Sequence, residues 1–240
     1  MNTRSQVACA LAGLIGFLVI LPAFLIADYF VPPDADWTAQ QFADFYGGET
    51  DRIRVGLLLL LVAVTGWGTI IAVVTVQMLR FEGKRPVLTA LNAVTGTAVY
   101  VLLNLFAVFL IAAAFRPGRD PDVTQALHDL GWFMAFLAAP VFCTQALAVG
   151  CAVLGDRSAN PVYPRWFGYV GIWVALLLLP GTLLMFFHDG PFAYHGVISY
   201  WIPLFTFGGW MAAQGFCALM AALAEAKTEA GAAVREPVLA

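Results

Sequence analysis

Three histidines are the side chains best suited to chemistry in this 240-residue sequence, and they stand far apart along it, at His128, His188 and His195. Each has a neighbour able to ligate or to orient an imidazole: Asp129, Asp189 and Tyr194 adjoin them, and Met185 lies one turn before His188. Imidazole nitrogens with a carboxylate or thioether suit a copper, zinc or iron ion, and a carboxylate on the second ring nitrogen fixes the tautomer. If the three rings converge, His128, His188 and His195 are the expected ligands of a metal ion at one face of the protein. The plainer alternative is a rim of amphipathic rings that bury their bodies and keep their nitrogens in water, where they respond to pH.

A second group is aromatic. Pro22, Pro140, Pro180 and Pro203 interrupt apolar stretches, and a proline inside a membrane helix removes an N–H, frees a carbonyl and kinks the chain. Four such kinks at similar depth predict a splayed half-bundle with an apolar, aromatic-walled cavity. Phe133, Phe136, Pro140, Phe186, Tyr200 and Phe205 are the expected ligand-binding residues, with Phe24 and Phe142 as further wall. The alternative is a filled bundle with ordinary kinks.

Several chemistries are excluded by what the apolar stretches lack. No Asp, Glu, Lys or Arg falls between the predicted ends of any of them, which argues against proton pumping and ion conduction. No histidine sits deep enough to ligate a transmembrane haem. The deep polar side chains are neutral (Thr65, Thr69, Gln77, Asn92, Thr95, Asn104, Thr144, Gln145 and Gln214) and predict hydrogen bonds between helices. Cys9, Cys143, Cys151 and Cys217 all lie in apolar runs without disulfide or zinc-ribbon spacing and read as packing residues.

The elements that must position these groups follow from composition. With 61% hydrophobic and 11% charged residues, and a mean hydropathy of +0.83, the chain has too few charges to coat a soluble globule. A net charge of -3 offers no basic surface to a nucleic acid. Six stretches are long enough to cross a hydrocarbon core, at about 7–27, 55–79, 87–115, 130–154, 166–187 and 196–223. The expected fold is therefore all-α: a polytopic membrane bundle of six transmembrane helices over residues 1–225, followed by a cytoplasmic tail over 226–240. The first stretch runs too long for a signal peptide, has no small-x-small cleavage pattern, and is expected to be kept.

Basic residues orient the bundle. Arg4, Arg80, Lys84, Arg85, Arg157, Arg165, Lys227 and Arg235 fall on one side of a six-crossing chain, against Arg52, Arg54, Arg116 and Arg119 on the other. Both termini are therefore expected in the cytoplasm of a bacterial cell with the protein in its plasma (inner) membrane, and the acidic segments outside. The long outer segment contains DWTAQQFADFYGG, which predicts a short interfacial helix entered after an Asp and ended by two glycines. Its Trp37, Phe42, Phe45 and Tyr46 share one broad face, suited to the headgroup boundary, as a spacer or lid or as a gating or docking element. In the next outer segment Asp122 or Thr124 is the expected cap of a helix that continues through His128. The sequence HDGPFAYHG predicts a tight turn. Gly66 and Gly68, Gly208 and Gly209, and Ala212, Ala213 and Gly215 predict close helix approaches, within the bundle or between copies.

The runs FADFYGGETDRIRVG, HDLGW and DGPFAYHGVISYWIP resemble a group of uncharacterised six-helix bacterial membrane proteins. The resemblance implies the six-helix topology and transfers no activity and no site residue. The leading functional expectation is a non-enzymatic protein that binds, shields or passes a lipid or small hydrophobic molecule through an outward-facing cavity. The alternatives are a membrane oxidoreductase or metal-binding subunit built on the three histidines, and an accessory subunit that joins a homo-oligomer or a partner membrane protein through the Trp37 to Tyr46 segment.

Overall fold

Backbone polar groups in a long apolar chain find partners only in their own helix, so each hydrophobic stretch becomes one. The computed structural model describes residues 3–235 and contains eight α-helices among them: α1 Thr3–Ala27, α2 Ala39–Gly48, α3 Thr50–Met78, α4 Val87–Phe115, α5 Pro121–Phe136, α6 Ala139–Gly155, α7 Arg165–Leu178 and α8 Ile202–Arg235. A tight 3₁₀ segment, Leu179–Phe186, extends α7, and a wide π-turn, Val197–Trp201, precedes α8. Six spans long and apolar enough to cross a membrane result, with α5 and α6 together forming the fourth. The protein is an all-α polytopic bundle, as its hydropathy predicts.

Prolines set where these helices change form. Pro140 cannot donate to the Phe136 carbonyl, and the fourth span breaks at Leu137–Ala138, so that α6 restarts with Pro140 in its first turn. Pro180 stands at the start of the 3₁₀ segment. Pro203 cannot reach back to Ser199, and the chain before it widens into the π-turn, where the Trp201 N–H bonds the Gly196 carbonyl. Pro22 stays within α1.

Two helix caps differ from expectation. The cap of α5 is Asp120, whose side chain accepts from the Asp122 N–H, instead of Asp122 or Thr124. Pro121 in the first turn explains this, since its missing N–H is one that no helix bond would use. Helix α2 is capped by Thr38, in a reciprocal box with Gln41, instead of by the earlier Asp. Helix α8 continues beyond the last membrane-spanning stretch as a helical extension. It runs unbroken to Arg235, held against the start of α1 by Thr3 Oγ1 donating to Glu229 (2.7 Å) and Gln6 Nε2 donating to Glu225 (3.1 Å). Residues 236–240 of the expected tail lie outside the described residues.

Close packing joins the spans. A Cβ at Gly16 would lie 2.6 Å from the Ala63 carbonyl oxygen, and one at Gly56 would lie 2.4 Å from the Ala27 nitrogen, so α1 and α3 touch backbone to backbone. Gly66 shares that seam, as expected. Gly150, Gly168 and Gly171 form an equivalent seam between α6 and α7. Gly208 and Gly209 mark no close approach within the bundle, because a Cβ at either meets nothing within 4 Å.

Polar residues tie the end of the bundle that holds both termini. Gln77 Nε2 donates to Gln6 Oε1 (3.1 Å) and to the Ala218 carbonyl (3.0 Å), and the Tyr163 hydroxyl donates to Gln77 Oε1. Arg80 pairs with Glu225 at 3.0 Å. One turn deeper, Gln145 Nε2 donates to Asn92, which donates to Thr75. At the other end, Arg52 donates to the last-turn carbonyl of Ile26 and Arg54 to those of Ala114 and Phe115. Two of the four minority basic residues, Arg52 and Arg54, thus serve as C-terminal helix caps.

Candidate functional site

The three changes of helix form at Pro140, Pro180 and Pro203 fall toward the α2 end, and between the helices there lies a cavity of about 790 Å³. Its walls come from α1, α3, α4, the α5–α6 break, the 3₁₀ segment and the first turns of α8. Of the six expected ligand-binding residues, Phe136, Tyr200 and Phe205 line it, joined by Phe24 and Phe142. Phe133, Pro140 and Phe186 do not. Phe133 packs among α5's neighbours, Pro140 faces outward at the α6 start, and Phe186 is 70% exposed on the bundle's perimeter. The 3₁₀ geometry explains the last: with about three residues per turn, side-chain directions along Leu179–Phe186 no longer follow the 100° step assumed for an α-helix.

One flank of the cavity is open. Leu18, Leu21 and Leu25 of α1 and Phe205 of α8 line it and are more than half exposed. Beside them Gly208 and Gly209 form a stretch of α8 wall without side chains. Two mid-helix glycines with no neighbour to accommodate sacrifice about 1 kcal/mol each relative to alanine and gain no packing in return. Close approach of a molecule to the backbone is the usual use of such positions. The seam between α1 and α8 is sealed only deeper in, where Gly215 accepts the Leu14 side chain.

The α2 end of the cavity is closed by a hydrogen-bonded aromatic roof. His128 is fully buried on α5; its Nε2 accepts from Trp132 Nε1 at 2.9 Å and its Nδ1 lies 2.9 Å from the Tyr46 hydroxyl. An indole N–H only donates, so Nε2 must be unprotonated and Nδ1 carries the single proton toward Tyr46. The imidazole is neutral by this geometry. Tyr29 also donates to the Tyr46 hydroxyl, and the Tyr200 hydroxyl reaches the Tyr29 and Phe30 carbonyls at 2.9 and 3.0 Å. Burial holds the phenols of Tyr29 and Tyr46 well above their ordinary range, and at Tyr29 the neighbouring Tyr46 adds to the effect. The roof is therefore uncharged throughout.

This arrangement assigns α2 its place. Phe42 and Tyr46 are fully buried against His128, with the Phe42 ring 4.6 Å from the imidazole, so the aromatic face turns inward onto α5 instead of toward headgroups. The strap before α2 is pinned as well, by the Ala35 N–H donating to His195 Nδ1 at 2.9 Å, while His195 Nε2 faces Asp34 at 3.8 Å. Of the two weighed roles, α2 has the geometry of a lid.

The histidines consequently do not assemble into a ligand set. Both nitrogens of His128 are engaged in the roof, His195 Nδ1 is taken by the strap, and His188 stands exposed beside exposed Asp189 and Met185. Among the described residues no group of three or more His, Cys, Asp or Glu side chains is placed to hold a metal ion. The sequence could not disclose this, because the partners of His128 come from three separate elements. The one local sign was Trp132, one helical turn beyond it.

Comparison with protein-family models, with curated proteins and with solved structures found no match to this chain. The class of protein rests on the fold alone: a multi-pass membrane bundle of six apolar spans.

Proposed function

We propose that this protein binds or passes a hydrophobic molecule, the acyl chain of a membrane lipid or a compound of similar shape, in the cavity between α1 and α8. The observation that carries the reading is the side flank of that cavity, where Gly208 and Gly209 leave the α8 wall bare beside exposed leucines of α1. A volume of about 790 Å³ suits a small ligand or an acyl chain. The neutral roof favours an uncharged tail over an ionic group, since a buried charge there would have no partner. The distribution of basic residues supports a bacterial plasma-membrane protein with cytoplasmic termini, which puts the cavity in the outer leaflet.

Native mass spectrometry of the protein released from mild detergent tests the reading. The wild-type protein is expected to retain a lipid-sized mass, and Gly208→Phe or Gly209→Phe, which fill the flank, to lose it, while Gly208→Ala keeps it. A wild-type spectrum with no retained mass, or one unchanged by both phenylalanine variants, would overturn it.

A further inference from the structure

Below the cavity, toward the terminal end, lies a layer of the core in which five side-chain polar atoms have no partners. Trp67 Nε1, Trp210 Nε1, Gln145 Oε1 and both polar atoms of Gln214 make no hydrogen bond, although Trp67 and Trp210 are 1% exposed and both glutamines are fully buried. Each such group costs about 1 to 3 kcal/mol when left unmade, and natural cores hold few of them.

These atoms share one region. Phe207, Trp210 and Gln214 follow one face of α8 at three- and four-residue spacing. Trp67 of α3 packs edge-on to Phe207, with ring centroids 5.8 Å apart. The ring tip of Trp210 and the Ala146 carbonyl both crowd the Cβ position of Gly171, at 3.0 and 2.7 Å, which puts Trp210 beside the stretch of α6 that carries Gln145. Phe207 and Phe142, stacked at 4.9 Å, themselves line the cavity, so they stand between the cavity and this layer.

Resting on the cavity reading, we infer that the ligand carries a compact, uncharged, oxygen-bearing head, which docks in the layer formed by Trp67, Gln145, Trp210 and Gln214 while its apolar tail fills the cavity. Three of the unpartnered groups donate and two accept, a balance that a hydroxyl-bearing head meets, its O–H donating to a glutamine Oε1 while its oxygen accepts from an indole or amide N–H. Among the described residues the one buried Asp, Glu, Lys or Arg is Asp156, in the connector after α6, so a charged head in this layer would be buried without compensation. Rotation of the Phe207 ring is the movement that would join the layer to the cavity. Ordered water is the competing occupant of such groups.

Two probes with the same tail separate these cases: hexadecanol, which has a hydroxyl head, and hexadecane, which has none. The full chain is reconstituted in nanodiscs, and each unlabelled probe competes against radiolabelled hexadecanol. The alcohol is expected to compete about tenfold better than the alkane, the worth of one satisfied buried hydrogen bond. Gln214→Leu and the milder Trp67→Phe are expected to shrink that ratio toward one without weakening the alkane. Equal competition by both probes, abolished together by Gly208→Phe, would leave the cavity reading standing and overturn the polar-head inference, with water as the occupant of the layer. A preference for the alcohol that survives both variants would overturn it too, by placing the head elsewhere. Absence of any saturable binding would remove the cavity reading and the inference with it.

Discussion

His128 shows how far a single residue's role depends on what surrounds it. In water its ring would be a ligand or a titrating group, whereas in the bundle its two nitrogens link an indole on its own helix to a phenol on the lid. Replacing it with leucine keeps the volume roughly, yet leaves the Trp132 N–H without an acceptor inside an aromatic cluster. His128→Leu is expected to destabilise the protein by about 2 to 4 kcal/mol, combining one stranded donor and imperfect packing. Thermal unfolding in detergent reads this directly. Adding Trp132→Phe should recover part of the loss, since the stranded donor goes with it. A His128→Leu protein as stable as wild type would mean that the roof bonds contribute little.

At the scale of elements, two kinds of glycine with the same letter have opposite meanings. Gly16 meets backbone of α3 at a distance no Cβ tolerates, whereas Gly208 faces open space. Gly16→Ala is expected to cost about 1 to 3 kcal/mol by pushing α1 off α3. Gly208→Ala is expected to gain up to about 1 kcal/mol from helix propensity alone. Denaturation of the pair under the same conditions checks both signs. Sequence alone treats the two alike: Gly66, Gly208 and Gly209 read as close-approach residues, and within the bundle only the first is one. The spans themselves were legible because about twenty apolar residues in a row have few alternatives, and the third was located to the residue, at Val87–Phe115. The break at Leu137–Ala138 and the change from α to 3₁₀ after Leu178 were not, because Pro140 and Pro180 announce a missing bond without saying how the chain relaxes around it. The same relaxation turned Phe186 out of the cavity and left Phe136 in it.

At the scale of the whole molecule, the charge pattern has a direct readout. With both termini in the cytoplasm, the connector holding Gly83 lies inside and the one holding Gly118 outside, both exposed and both free of neighbours at the Cβ position. In a background with the native cysteines replaced by serine, Gly118→Cys is expected to react with a membrane-impermeant maleimide in intact cells, and Gly83→Cys only after lysis. The reverse pattern would invert the molecule and move the cavity to the inner leaflet. The aromatic roof was the least legible part at this scale, since it gathers Tyr29, Tyr46, His128 and Tyr200 from segments up to 171 residues apart.

That α1 and α8 are neighbours, clasped by Thr3 and Glu229 across 226 residues of chain, also bears on the order of events during synthesis. A ribosome delivers α1 first and α8 last. Until the final span enters the membrane, the space that becomes the cavity is a trough along the flank of α1, open on the side that α8 will cover. The last helix therefore adds the final wall of the cavity only after every other wall is in place, so the cavity and the seam beside it come into being in the same step.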